Sequence, residues 1–167
     1  VIPKGTEVTS TVQTILTGLG FTEITVNVMP RVLVLTSGHE VIEPGESLTP
    51  GKIYNSNRTM ICGLLEDLGF HKITHYHVSD ALEELESEIN HVLQLSEEAD
   101  IIISSGGVSV GLFDTMPLIY EKLGAQSIYA RIQMRPGAAS YGAVTPKGQI
   151  IFGLSGNPGA AFNGWHL

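Results

Sequence analysis

The 167-residue chain is 43% hydrophobic and 16% charged, the balance of a globular domain rather than of a disordered segment. Seventeen acidic against nine basic residues give a formal net charge of −8, which argues against a nucleic-acid surface and leaves any anionic ligand to be held locally, by backbone N–H groups or a metal ion. The one cysteine, Cys62, excludes an internal disulfide framework and a cysteine-based metal cluster. Its neighbours Met60, Ile61, Leu64 and Leu65 make it a buried, unreactive thiol. No run approaches the roughly 18 apolar residues of a membrane span, and no signal peptide opens the chain, so a cytoplasmic location is expected. The chain starts at Val1 and stops at Leu167 just beyond a helix start, and it reads as a fragment trimmed at both ends.

Residues 1–29 read as a lead-in segment from a preceding domain, and 30–167 as one α/β domain cut short at its C-terminal end. In the lead-in, Val8, Val12, Ile15, Leu16 and Leu19 recur at helical spacing until Gly20, and a short apolar–polar alternation follows through Ile24, Val26 and Val28. Arg31 to Thr36 is a nearly continuous apolar run, predicted as a buried parallel strand. After a Gly- and Pro-rich loop, Asn55, Ser56 or Asn57 caps a helix whose inner face carries Met60, Ile61, Leu64, Leu65 and Leu68 and which Gly69 stops. Ile73 to Val78 is the next strand. Ser79 or Asp80 is expected to cap a helix carrying Leu82, Leu85, Ile89, Val92, Leu93 and Leu95, with the acidic run from Glu83 to Glu88 on its solvent face. Ala99 to Ser104 forms a third strand, a Gly-rich turn follows, and a helix runs from about Asp114 to Leu123 with Pro117 near its start. Strands are predicted at 127–134, 139–144 and 149–154, with a hairpin turn at Pro146-Lys147-Gly148. The repeated strand–helix alternation predicts a three-layer α/β/α domain with a mostly parallel central sheet and a β-hairpin near the C-terminal end.

Ligands on such sheets bind outside the carboxyl ends of the strands, which directs attention to the loops there. In Ser104-Ser105-Gly106-Gly107-Val108-Ser109-Val110-Gly111 the paired glycines allow a tight turn, and exposed N–H groups near a helix start can cradle a phosphate or carboxylate. It matches neither the dinucleotide fingerprint nor the P-loop, and a purely structural turn is the alternative. Gly107 to Gly111 also fits the nucleophile elbow G-x-S-x-G. Asp114 then lies only five residues on, the one later histidine is His166, and the chain is short for such a hydrolase. Leu154-Ser155-Gly156-Asn157-Pro158-Gly159 supplies an N-cap and a proline at the first helical position, and can form a second wall of the same cleft. Glu40 and Asp114 are the carboxylates available for a cation such as Mg²⁺. His71, His75 and His77 cluster in sequence, with His75 and His77 on one strand face, but lack a third metal ligand at fixed spacing.

Taken together and in order, these loops resemble the molybdopterin-binding domain of the MoeA and gephyrin E-domain family. The matching segments are Ser37-Gly38-His39-Glu40-Val41, Pro44-Gly45, Gly51-Lys52-Ile53, Asn55-Ser56-Asn57, Asp80, Gly106 to Gly111, Asp114, Pro136-Gly137 and Gly156-Asn157-Pro158. The related MogA branch shares the fold without this N-S-N and G-N-P set. The resemblance implies a molybdenumtransferase of molybdenum cofactor biosynthesis, in which molybdopterin adenylate and molybdate give molybdenum cofactor and AMP with Mg²⁺ assisting. It implies catalytic and Mg²⁺-handling roles for Asp114 and Glu40. Ligand binding would fall to Ser104, Ser105, Gly106, Gly107, Ser109, Gly111, Asn55, Ser56, Asn57, Asp80, Pro136, Gly137, Gly156, Asn157 and Pro158. It also implies a homodimer of the full-length protein.

The chain departs from the family pattern at five positions. His39 stands for Asp, Leu112 for an acidic residue, Ala138 for Lys, Ala139 for Pro and Ser155 for Pro. Several of these changes remove charge or rigidity from the cleft. They support a second reading, a catalytically impaired domain that binds or senses molybdopterin or a nucleotide.

Overall fold

The computed structural model describes residues 2–107 and 115–167. Helix α1 (Ser10–Gly18) is capped by the Thr9 side chain and contains no buried residue. Strand β1 (Val32–Ser37) is buried at all six positions, as its continuous branched run requires. Two short strands, β2 (Val41–Ile42) and β3 (Ile53–Tyr54), pair in parallel and fold the Gly-rich loop into a flap. Then come α2 (Ser56–Asp67), β4 (Ile73–Val78), α3 (Leu85–Ser96), β5 (Ile101–Ser105) and α4 (Thr115–Lys122). The chain finishes with β6 (Gln126–Tyr129), β7 (Tyr141–Val144), β8 (Ile150–Leu154) and α5 (Pro158–Trp165).

The main sheet has the order β4-β1-β5-β8-β7-β6. The first four strands run parallel, while β7 lies antiparallel to both β8 and β6. Side-chain alternation splits β1 between two cores. Leu33 and Leu35 pack with Ile89 and Val92 of α3 and Met116 and Ile119 of α4. Val32 and Val34 pack with Ile61 and Leu65 of α2 and Ala161 of α5. Helices therefore cover both faces, and the three-layer α/β/α expectation holds. Each fully buried aliphatic side chain contributes about 1.5–3 kcal/mol, so these two layers carry most of the stability.

Some expected elements differ. The helix after β4 begins at Leu85, with Glu84 in the cap position and no side-chain cap. Ser79 Oγ instead accepts from the Ala81 N–H, closing a local turn, and Asp80 is drawn to Thr115 Oγ1 at 3.1 Å. Leu82 consequently lies outside the helix and is 68% exposed. Glu88 is not a solvent-face residue, because its carboxylate accepts from Tyr76 Oη and the Ser79 N–H, both at 3.0 Å. Leu68 is the C-cap of α2 and is exposed rather than on the inner face. The strand expected at 127–134 spans only Gln126–Tyr129. The alternation at Ile24, Val26 and Val28 forms no strand, and all three residues are exposed. The hairpin at 145–149 is as expected, closed by the Thr145 N–H donating to the Gln149 carbonyl and the Gln149 N–H donating to Thr145 Oγ1.

Candidate functional site

Because β1, β4, β5 and β8 are parallel, the loops leaving them emerge along one edge of the sheet. Between them and the start of α2 lies a cavity of ≈ 720 Å³, within the usual range for a small-molecule site. Its floor is Ser37, Asn57, Ser105, Gly106, Gly107 and Gly156. Thr36 and Asn55 form one wall, and Val41, Ile53, Tyr54 and Leu82 provide an apolar rim.

The floor is held by Asn57. Its Nδ2 donates to Ser105 Oγ at 2.7 Å and to the Gly156 carbonyl at 2.8 Å, while Ser105 Oγ donates to the Ser155 carbonyl. One amide thus joins the start of α2 to the turns after β5 and β8. Gly106, at φ +87°, lies so close to the Ser37 carbonyl oxygen that a Cβ would overlap it. Two buried polar atoms here have no partner among the described residues, Ser37 Oγ and Asn57 Oδ1. Such atoms are costly unless a ligand or water meets them. The starts of α2 and α5 both border the cavity, through Ser56 and Pro158, and add the positive ends of two helix dipoles to a protein of net charge −8.

The wall has the opposite character. Asn55 is the cap of α2, its Oδ1 accepting from the Arg58 N–H, and its Nδ2 donates to both Thr36 Oγ1 (2.9 Å) and Glu43 Oε1 (2.8 Å). Arg58 closes on Glu43 Oε2 at 2.7 Å. Burial alone would raise the Glu43 carboxyl, but bonds from Asn55 and Arg58 outweigh it and hold it below the ordinary value. Thr36 Oγ1 also meets His75 Nε2 at 3.0 Å and His77 Nδ1 at 3.1 Å. Burial and the Arg58 charge hold His75 neutral, down to about 4. His71 is exposed and apart from this pair.

Most of the residues expected from sequence meet here. Asn55, Ser56, Asn57, Asp80, Ser105, Gly106, Gly107, Gly156, Pro158 and Glu40 line the cavity. Ser104 does not, since its hydroxyl is buried against Tyr120 Oη on the opposite face of the sheet. Asn157 caps α5, accepting from the Ala160 N–H, rather than lining the cavity. Pro136 and Gly137 do not line it, whereas Ala139 does. Ser109, Gly111 and Asp114, and the departure at Leu112, lie outside the described residues. Thr36, Ser37, Tyr54 and Leu82 also line the cavity; the end of the first predicted strand was a legible signal for Thr36 and Ser37, whereas Tyr54 in an expected loop and Leu82 in an expected helix gave none. Cys62 is half-buried, and burial pushes its thiol up, consistent with an inert role.

Glu40 is half-buried beside His39, whose Nδ1 lies 3.5 Å from Glu40 Oε2, and Lys52 Nζ reaches the His39 carbonyl. Among the described residues no three His, Cys, Asp or Glu side chains converge as a self-sufficient metal site. Of the two carboxylates expected to handle a cation, Glu40 alone lies among the described residues. Among the described residues, no helix is long and apolar enough to cross a membrane.

Residues 33–167 match the family model described as a probable molybdopterin binding domain. The chain is 38% identical over 167 residues to a molybdopterin molybdenumtransferase of Staphylococcus epidermidis, covering 100% of this chain and 39% of that protein. Against the Bacillus subtilis molybdopterin molybdenumtransferase it is 36% identical over 166 residues, 99% of this chain and 38% of that one. It thus spans about two-fifths of the length of these relatives. The molybdopterin biosynthesis MoeA protein from Pyrococcus horikosii superposes with a TM-score of 0.76 at 26% identity, over 99% of this chain and 40% of that chain. A MogA structure shares the fold, with a TM-score of 0.60 at 20% identity over 81% of this chain and 90% of its own. With the family model covering residues 33–167 of 167, the chain belongs to the molybdopterin-binding domain family of molybdenum cofactor biosynthesis.

Proposed function

We propose that the cavity binds molybdopterin or its adenylate for the insertion of molybdate, as part of a longer molybdenumtransferase. The observation that carries this reading is the Asn57 junction, which joins three strand-following loops into a floor with two buried, unpartnered polar atoms. The names of the relatives at 36–38% identity support it.

In this reading the anionic end of the ligand sits by Gly106, Gly107 and Gly156, where two helix starts favour negative charge that the acidic chain otherwise repels. Ser37 Oγ and Asn57 Oδ1 meet polar groups of the ligand, and the planar pterin lies against Ile53, Tyr54 and Leu82. Bound Mg²⁺ would neutralise ligand phosphate charge, with Glu40 and Asp114 as its holders. Lys52 keeps a cation near Glu40 and His39 a ring nitrogen beside it, although the family Lys is Ala138 here.

Calorimetry of the chain with molybdopterin, and separately with AMP, each with and without Mg²⁺, tests the binding. Saturable binding that weakens in Asn57→Ala is expected, and no binding of either molecule overturns the reading. Formation of molybdenum cofactor from molybdopterin adenylate and molybdate by the full-length protein tests the reaction. Binding without turnover would point to the sensing role.

A further inference from the structure

Behind the cavity wall, Thr36 Oγ1 has three nitrogen neighbours within hydrogen-bond distance, from Asn55, His75 and His77. A hydroxyl offers one hydrogen and two lone pairs. The Asn55 N–H takes one lone pair, because an amide nitrogen can only donate. The remaining lone pair and the hydrogen must serve the two imidazoles, one donating its N–H and the other accepting. The arrangement fits only while one facing imidazole nitrogen is bare. If both carry hydrogen, three N–H groups converge on two lone pairs, and either a histidine or Asn55 must leave.

We propose that His75 and His77 are positioning residues for the ligand cavity: through Thr36 they hold Asn55, and the wall keeps its shape only while one of their two facing nitrogens is unprotonated. The pair does not line the cavity, whereas Thr36 and Asn55 do. The register of β1 on β4 places Thr36 opposite His77, with His75 opposite Val34 on the same sheet face. The charged and titratable groups facing His75 are Arg58 of α2, Glu43 from the loop between β2 and β3, and His77 of its own strand; β1 offers only the neutral Thr36. Burial and Arg58 keep His75 neutral while Glu43 opposes them, so its Nε2 can be the bare, accepting nitrogen, and in the proposed arrangement it has that tautomer, with His77 Nδ1 as the donor. The same Glu43 carboxylate bonds to Asn55, so the wall and the imidazoles share a charged neighbour.

The role in ligand binding rests on the proposed function, but the coupling itself can be read without ligand. Nitrogen-resolved NMR of the chain follows the His75 ring and the Asn55 side-chain amide as pH falls from about 6.5 to about 3.5. The Asn55 amide signals are expected to move with the His75 midpoint, near 4. In Thr36→Val, close to isosteric but without the hydroxyl, His75 should still titrate while Asn55 no longer follows. Glu43→Gln should lower the His75 midpoint, since Glu43 is the neighbour that raises it. Asn55 signals indifferent to His75, or unchanged in their response in Thr36→Val, overturn the proposal. Calorimetry with molybdopterin then reads the consequence, a roughly tenfold weaker Kd across the same midpoint that is absent in Thr36→Val. A Kd that stays flat while Asn55 moves overturns the positioning role. Failure of the wild type to bind molybdopterin at any pH overturns the proposed ligand, and the NMR result still decides the coupling.

Discussion

At the wall formed by Thr36 and Asn55 the side-chain hydrogen bonds are engaged inside the protein, whereas at the floor Ser37 Oγ and Asn57 Oδ1 are buried without a partner. Both regions border the same cavity. The wall resembles a core network, in which satisfied polar groups fix one geometry. The floor keeps polar atoms whose burial is unfavourable until something occupies the cavity. A site needs both, because an unsatisfied floor without a rigid frame would collapse on itself.

The sharpest way to break this arrangement is Gly106→Ala. The added methyl meets the Ser37 carbonyl oxygen at a backbone angle that L side chains rarely adopt, so a loss of about 3 kcal/mol in urea unfolding is expected together with loss of ligand binding. Next, the two asparagines should separate. Asn55→Ala removes the α2 cap and the Thr36 and Glu43 bonds, costing about 2 kcal/mol of stability. Asn57→Ala should cost about 1 kcal/mol of stability but weaken molybdopterin binding at least about tenfold, because it removes the junction under the ligand. Equal effects of the two on folding and binding would erase the distinction drawn between wall and floor.

A smaller effect is pH-dependent. Folding holds the half-buried His75 neutral to about 4, so between the ordinary imidazole value and about 4 the unfolded chain takes up a proton that the folded chain refuses. Stability therefore falls as pH drops through that window and flattens below it. After solvent screening the loss is about 1 kcal/mol, and His75→Leu should abolish that component of the pH dependence of Tm. The smallest effect is expected at Ser37→Ala. Its hydroxyl has no partner among the described residues, so stability should change by less than about 0.5 kcal/mol while molybdopterin binding weakens.

Much of this was visible in the chain's order of residues. The apolar run before Ser37, the Asn55 and Asn157 caps, the Pro158 helix start and the 145–149 hairpin are all set by local periodicity and backbone preference, and each stands as expected. The same local signals misled at Ser79 and Asp80, which look like caps. Their hydrogen bonds go to Ala81 N–H, to Glu88 and to Thr115 instead, the last 35 residues away. Ser104 and Ser105 illustrate the same limit within one strand. Adjacent positions point to opposite faces, and only the sheet's place between its helices decides that Ser105 meets the cavity while Ser104 meets Tyr120.

Sequence alone determined the class of fold, most of the loops that border the cavity and the family, because helix caps, glycine turns and apolar periodicity act between residues a few positions apart. Tertiary structure alone decided which polar atoms are spent and which are left open. Asn57 bonds to a carbonyl 99 residues away, and Thr36 meets histidines 39 and 41 residues away, through a parallel register that no local pattern encodes. Whether an asparagine braces the wall or serves the floor depends on what the folded sheet places beside it.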